Sequence, residues 1–134
     1  MSVICTLYEG NYHLGLGALL NSLHALGFRG HLCAGYRGEL PPWASANVRR
    51  NGVGWLFDVG GACTLHFVPI ETTKHFNNYK PHFLLELMDK HCPNEDAFFF
   101  FDPDIVVKAR WDFFEEWASH GIALCEDVNH YLPR

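Results

Sequence analysis

Two aspartates separated by one proline, Asp102-Pro103-Asp104, are the residues of this sequence best suited to chemistry. In an extended chain, side chains two positions apart project to the same side, so both carboxylates can aim at one point. Pro103 has no N–H for a sheet ladder and biases Asp102 toward extended backbone, which predicts a strand running straight to the first carboxylate and stopping there. Two hard oxygen donors at such a tip suit Mg²⁺ or Mn²⁺, ions that keep several waters and take further ligands from a substrate's phosphates. A cation bridging a diphosphate stabilises it as a leaving group while negative charge develops. The plainest competing reading is a solvated turn, because Asp and Pro are common turn residues. The four phenylalanines at 98–101 weigh against it, since a deeply buried strand delivering two acids to its tip is costly to arrange.

Such a tip needs a sheet behind it. Residues 3–8 form a β-rich run closed by Glu9-Gly10-Asn11, and leucines at 16, 19, 20, 23 and 26 then recur at helical spacing until Gly27. Residues 31–36 read as a second short strand between Gly30 and Gly38, and Pro41-Pro42 opens a short helical or irregular stretch up to Arg50. The glycine-rich segment 51–61 has no clear assignment, whereas 64–70 reads as a strand ended by Pro69 and Thr72-Thr73. Pro81 suits a first helical turn, and Phe83, Leu84, Leu87, Met88 and His91 then form a stripe stopped by Pro93. The unbroken apolar run 97–101 is expected to be a central strand covered on both faces. Residues 110–120 read as an amphipathic helix with Phe113, Phe114 and Trp117 inward and Glu115-Glu116 outward, followed by Gly121 and a strand over 122–125. This alternation predicts one α/β domain over 1–134, with a mostly parallel central sheet flanked by helices. Ligands of such open sheets gather at the carboxyl ends of the strands, where the acidic pair would stand.

Composition narrows the classes. With 134 residues, 49% hydrophobic and 15% aromatic, the chain is expected to fold as a single domain around an aromatic core without disulfides. Fifteen acidic against ten basic side chains, a net charge of -5 and no basic cluster in sequence disfavour binding to a nucleic-acid polymer. No apolar run approaches the roughly 20 residues of a membrane span and no basic-flanked signal precedes Val3, so a soluble, cytoplasmic protein without a transmembrane segment is expected. The cysteines at 5, 33, 63, 92 and 125 are odd in number and widely spaced, as expected of reduced, buried thiols. Nine histidines occur without HxxxH or HxH spacing and read as scattered polar groups.

Taken in order, these features resemble the GT-A glycosyltransferases, particularly their family 8-like group. The resemblance rests on Val3-Ile4-Cys5-Thr6-Leu7-Tyr8 followed by Asn11-Tyr12, the leucine-rich helix with Asn21-Ser22-Leu23, Asn78-Tyr79-Lys80 at the start of a helix, and Phe98-Phe99-Phe100-Phe101-Asp102-Pro103-Asp104. It spans most of the chain and implies a Rossmann-like GT-A fold and a metal-dependent hexosyltransferase using a nucleotide-diphosphate sugar, a UDP-sugar being favoured. By position it implies Thr6, Leu7 and Tyr8 at the nucleotide base, Lys80 near the donor, and Asp102 with Asp104 on Mn²⁺ or Mg²⁺. Lys80 is equally readable as a solvated charge or a point charge for phosphate. Tyr12 is equally readable as a base-stacking ring or a hydrophobic staple. Glu126 and Asp127 read as solvated acids, with a place in the same cleft as the alternative. A complete enzyme of this kind carries acceptor contacts and often a late metal histidine beyond the length present here, so the chain is expected to be a fragment lacking a C-terminal half, to have a partner or a homo-oligomer supply the rest, or to be a reduced relative without full turnover. His130 falls too early to match that histidine.

Three other readings stand beside this one. Residues 98–106 also fit the nucleophile motif of haloacid dehalogenase-type phosphatases, with Asp102 attacking phosphorus and Asp104 as acid and base, although that motif normally occupies a first strand. A non-catalytic nucleotide-sugar-binding module needs the same residues without turnover. Dinucleotide binding is disfavoured, because Gly15-Leu16-Gly17-Ala18-Leu19-Leu20 lacks the third glycine and lies within a helical pattern, and there is no Walker-A sequence.

Overall fold

A computed structural model describes residues 2–125. The first strand, β1 (Ser2–Glu9), combines β-branched and aromatic side chains and is buried along nearly its whole length, as expected of a strand with neighbours on both edges. It leads through a single 3-10 turn (Gly10–Tyr12) into α1 (His13–Ala25), where Leu16, Leu19, Leu20 and Leu23 are buried. That helix stops as its sequence predicts. Gly27 takes a positive φ of 92°, Phe28 N–H donates to the Leu23 carbonyl at 3.0 Å, and Gly27 N–H donates to the His24 carbonyl at 3.3 Å, the two bonds of a Schellman cap.

The remaining strands are β2 (Gly30–Arg37), β3 (Val48–Asn51), β4 (Gly54–Gly60), β5 (Cys63–Pro69) and β6 (Ala97–Phe100). They form one sheet in the order β3-β4-β5-β2-β1-β6. The pairs β1–β2, β1–β6 and β2–β5 are parallel, and β3–β4 and β4–β5 are antiparallel. The fold is therefore α/β with a mixed, mostly parallel sheet. Leu16, Leu19 and Leu23 of α1 pack with Ile4, Leu32, Leu65 and Phe67 on one face of the sheet. On the other face, Phe83 and Leu87 pack against Val3, Cys5, Leu7 and Cys33, each large apolar side chain contributing about 1.5–3 kcal/mol by its burial. Among the described residues, no helix is long and apolar enough to cross a membrane.

The unassigned segment 51–61 is a β-meander. Gly52-Val53 joins β3 to β4 with Gly52 at φ 58°, and Gly61-Ala62 joins β4 to β5 with φ values of 59° and 66°. Two-residue links of this kind require left-handed backbone, which glycine supplies without strain. The register shifts between Asp58 and Gly60, and the Asp58 carboxylate accepts the Gly60 N–H at 2.9 Å.

Several expectations are corrected. The helix α2 (Phe76–Glu86) begins five residues before Pro81, which lies inside it, and continues as a wider π-type turn (Leu87–His91). Phe83 and Leu87 of the predicted stripe are buried, but Met88 and His91 are exposed. The phenylalanine strand β6 is covered on both faces only in part, because it lies at the edge of the sheet among the described residues and its side chains are half-buried. In α3 (Trp111–Ala118) the inward residues are Trp111 and Phe114, whereas Phe113 and Trp117 are exposed. Glu115 and Glu116 are exposed as expected, and Glu115 also accepts from the Ser2 hydroxyl at 2.7 Å and the Trp111 indole at 3.1 Å. Residues 122–125 form no strand, and Ile122, Leu124 and Cys125 are exposed; Cys5, Cys33, Cys63 and Cys92 are buried, free thiols. Glu126, Asp127 and His130 lie outside the described residues.

Candidate functional site

The chain leaves β1 toward β2 on one side and returns on the other side at β6, so strand order reverses between β1 and β6. Crevices at such reversals, outside the carboxyl ends of the strands, are the natural ligand sites of open α/β sheets. A cavity of about 290 Å³ lies there. Leu7, Tyr8, Glu9 and Tyr12 line it from the end of β1, His75, Phe76, Asn77 and Lys80 from the start and first turns of α2, and Asp102, Pro103 and Asp104 from the segment after β6.

The acidic pair reaches this cavity by a different geometry from the one its spacing suggested. Phe101 N–H still donates to the Cys5 carbonyl at 3.0 Å, but Ile105 N–H donates to the Asp102 carbonyl at 3.2 Å and closes a β-turn over 102–105. Asp at the first position and Pro at the second are preferred in such turns. Both aspartates border one cavity because a turn holds them, not because a pleated strand extends through them.

Two residues of α1 fix that turn. A Cβ placed on Gly15 would fall 2.2 Å from the Pro103 carbonyl oxygen, so only glycine allows the acidic turn to sit this close to the helix. The Ser22 hydroxyl accepts Val107 N–H at 3.0 Å and donates to the Leu19 carbonyl at 2.8 Å. Val107 is itself buried in the core shared by α1.

Lys80 lies on the fifth residue of α2, not at its start, and its Nζ donates to Asp102 Oδ1 at 2.6 Å. The same ammonium stands 5.1 Å from the centre of the Phe100 ring. Both partners are partly exposed, at 29% and 48% of their side-chain surface, so solvent screening limits the pair to about 1 kcal/mol or less of stability. His75 caps α2 by accepting Asn77 N–H at its ring nitrogen at 3.2 Å. The helix N-terminus at the cavity carries partial positive charge suited to an anion.

The β1 residues differ in their access. Thr6 is fully buried on the α1 face and does not line the cavity. Tyr8 borders it, but its ring is 2% exposed and stacked on Tyr36 with 6.1 Å between centroids. Burial, then the neighbouring Tyr36, pushes the Tyr8 phenol up, so it stays protonated. Thr6 Oγ1, Tyr8 OH and His13 Nδ1 are buried without a hydrogen-bond partner. Tyr12, by contrast, is 55% exposed at the rim, which leaves a hydrophobic staple without the packing it requires.

Arg37 is an organiser that sequence reasoning missed. Its Nε donates to Glu9 Oε2 and its Nη1 to the Thr72 carbonyl, both at 2.8 Å, while the guanidinium lies 4.5 Å from the Phe76 ring centre. It thereby ties the ends of β1 and β2 to the segment leading into α2. A single charged residue at a strand end gives no periodic signal.

Among the described residues, no group of three or more His, Cys, Asp or Glu is arranged to hold a metal ion. Asp102 and Asp104 therefore do not form a protein-only cage. Two carboxylates beside a cavity do fit a hard cation that completes its shell with phosphate oxygens and water. No protein-family model matches the sequence, and no curated protein or solved structure matches it.

Proposed function

We propose that this chain is the donor-binding domain of a GT-A-type, metal-dependent glycosyltransferase. It binds a nucleotide-diphosphate sugar in the cleft between β1 and β6, with Asp102 and Asp104 holding Mn²⁺ or Mg²⁺, and presents the sugar to an acceptor. The observation that carries this reading is the convergence at one strand-order reversal of an acidic turn, a lysine and a helix N-terminus from distant parts of the chain. The resemblance of the first strand, the leucine-rich helix and the Asp102-Pro103-Asp104 segment to GT-A enzymes points the same way.

In this scheme Tyr12 offers an exposed ring to the base. Leu7 and Tyr8 wall the cavity, and Thr6 acts only by packing behind them. The start of α2 and Lys80 face the diphosphate. Lys80 begins on Asp102; transfer of its ammonium to a phosphate oxygen frees a carboxylate oxygen and keeps both groups paired. A bound divalent ion supplies Lewis-acid neutralisation of the leaving diphosphate.

The Lys80–Asp102 contact also favours a second reading, a phosphatase with Asp102 as nucleophile, because a lysine beside the carboxylate attracts a phosphate ester. Calorimetry over a panel of nucleotide sugars with and without Mn²⁺, with product analysis, separates the readings. Metal-dependent donor binding with sugar transfer or donor hydrolysis supports the transferase, and binding without turnover supports a non-catalytic module. Phosphate-monoester hydrolysis through a phosphorylated Asp102 supports the phosphatase. Absence of donor binding under all conditions refutes the proposal.

A further inference from the structure

The α2-side face of the sheet gathers basic side chains that are dispersed in the sequence. Arg49 pairs in register with Leu56, Leu56 with His66, and His66 with Cys33, so these side chains form a row across β3, β4, β5 and β2. His31, two residues before Cys33, lies on the same face, and its Nδ1 meets His66 Nε2 at 2.9 Å with the rings edge-on. Beside this row is a cavity of about 350 Å³ that shares no residue with the acid-bearing cleft. His66, Lys90, His91 and Asn51 line it together with the β3–β4 turn.

We propose that this cavity is a second ligand site, one that binds the phosphate group of a soluble anion. The chain carries a net charge of -5, yet Lys90, His66 and His91 line this cavity, with Arg49 and His31 on the same face of the sheet beside it. Glu86 shares one carboxylate oxygen between Lys90 and His91 at 3.9 Å from each. That distance is beyond hydrogen-bond reach and leaves their donors able to turn to a ligand. Burial first, then His31, His91 and Arg49, pushes His66 down to about 4. The neutral ring this leaves can donate or accept a hydrogen bond at the cavity wall. Arg, Lys and His approaching from several directions suit an oxyanion with several acceptor atoms. The groups near His66 are His31 and Cys33 from β2, Arg49 from β3 and His91 from the terminal turn of α2, with Lys90 across the same cavity and Glu86 between Lys90 and His91.

The site stands independently of the donor-binding proposal, and its test is chosen to keep them apart. The imidazole NMR signals of the intact chain are followed at constant ionic strength while chloride is replaced by inorganic phosphate, with acetate as a parallel arm. We expect saturable shifts at His66 and His91 and an upward movement of the His66 pKa. Arg49→Gln combined with Lys90→Gln should weaken phosphate binding by about tenfold or more. Both residues are exposed, and near-UV circular dichroism confirms that the double variant is folded. Asp102→Asn should leave the phosphate response intact. Equal, non-saturating shifts at all histidines, the same response to acetate, or an unchanged affinity in the double variant would overturn the proposal.

Discussion

Gly15 and Gly17 offer a matched test of how tightly α1 holds the acidic turn. Both lie within α1, where glycine to alanine normally gains about 1 kcal/mol of helix stability. At Gly17 the added methyl would meet nothing closer than the Trp43 ring at 3.7 Å, an ordinary contact. Gly17→Ala should therefore stabilise the protein by about 1 kcal/mol. At Gly15 the methyl would lie 2.2 Å from the Pro103 carbonyl oxygen and 3.1 Å from its carbon, so backbone must move by about 1 Å. Overpacking of that kind costs about 1–3 kcal/mol and offsets or exceeds the helical gain. The two variants should thus differ by about 1–3 kcal/mol in urea unfolding at equal m-values. The displaced atoms belong to the residue between the two aspartates, so Gly15→Ala should also lower Mn²⁺-dependent donor affinity while Gly17→Ala leaves it unchanged. If Gly15→Ala gains as much stability as Gly17→Ala, or its structure places Pro103 where it is now, the reasoning fails.

Other consequences follow from single contacts. Ser22→Ala removes the acceptor of the Val107 N–H and should cost about 1–3 kcal/mol in chemical denaturation; no measurable loss would mean that the bond holds little. Thr6→Val replaces a fully buried hydroxyl that has no partner, so stability should rise by about 1 kcal/mol while donor binding stays constant, and a fall in donor affinity would place Thr6 at the ligand after all. His66 lies at about 4 in the folded chain against an ordinary 6.5, so the unfolded chain takes up the proton first. Its stabilising contribution is full above pH 6.5 and lost as pH falls toward 4, a loss of about 1–2 kcal/mol after allowing for partial exposure. Denaturation curves of wild type and His66→Gln should converge over that window, and parallel curves would contradict the assignment.

What the sequence made legible was whatever repeats or terminates locally. The leucines of α1 and the Gly27 stop define that helix without reference to the rest of the chain, and β1 and β2 are apolar enough to be buried strands in any α/β arrangement. The β3–β4–β5 meander was hidden because its turns are built from glycines, which mask the alternation of Trp55, Phe57 and Val59; Gly52 at the first position of the two-residue link Gly52-Val53 was the available hairpin signal. Pro81 misled because one lost N–H is tolerated inside α2, moving Lys80 from the helix start into its second turn. In α3 aromatics occupy both sides, so their phase could not be read until Trp111 met Phe28 and Phe99. The acidic pair was visible by residue type and its turn was the competing reading of Asp102-Pro103, but its contact with Gly15 and its ion pair with Lys80 depend on distant segments. His31 and His66, thirty-five positions apart, likewise meet only through strand order.

The central claim is that Asp102 and Asp104 hold a cation shared with a nucleotide diphosphate. It is tested most directly by comparing the affinity for a uridine-diphosphate sugar with and without Mn²⁺ in the wild type and in Asp102→Asn combined with Asp104→Asn. A metal-dependent gain in affinity that is present in the wild type and abolished in the double variant is the predicted result. The same gain in both proteins would contradict it.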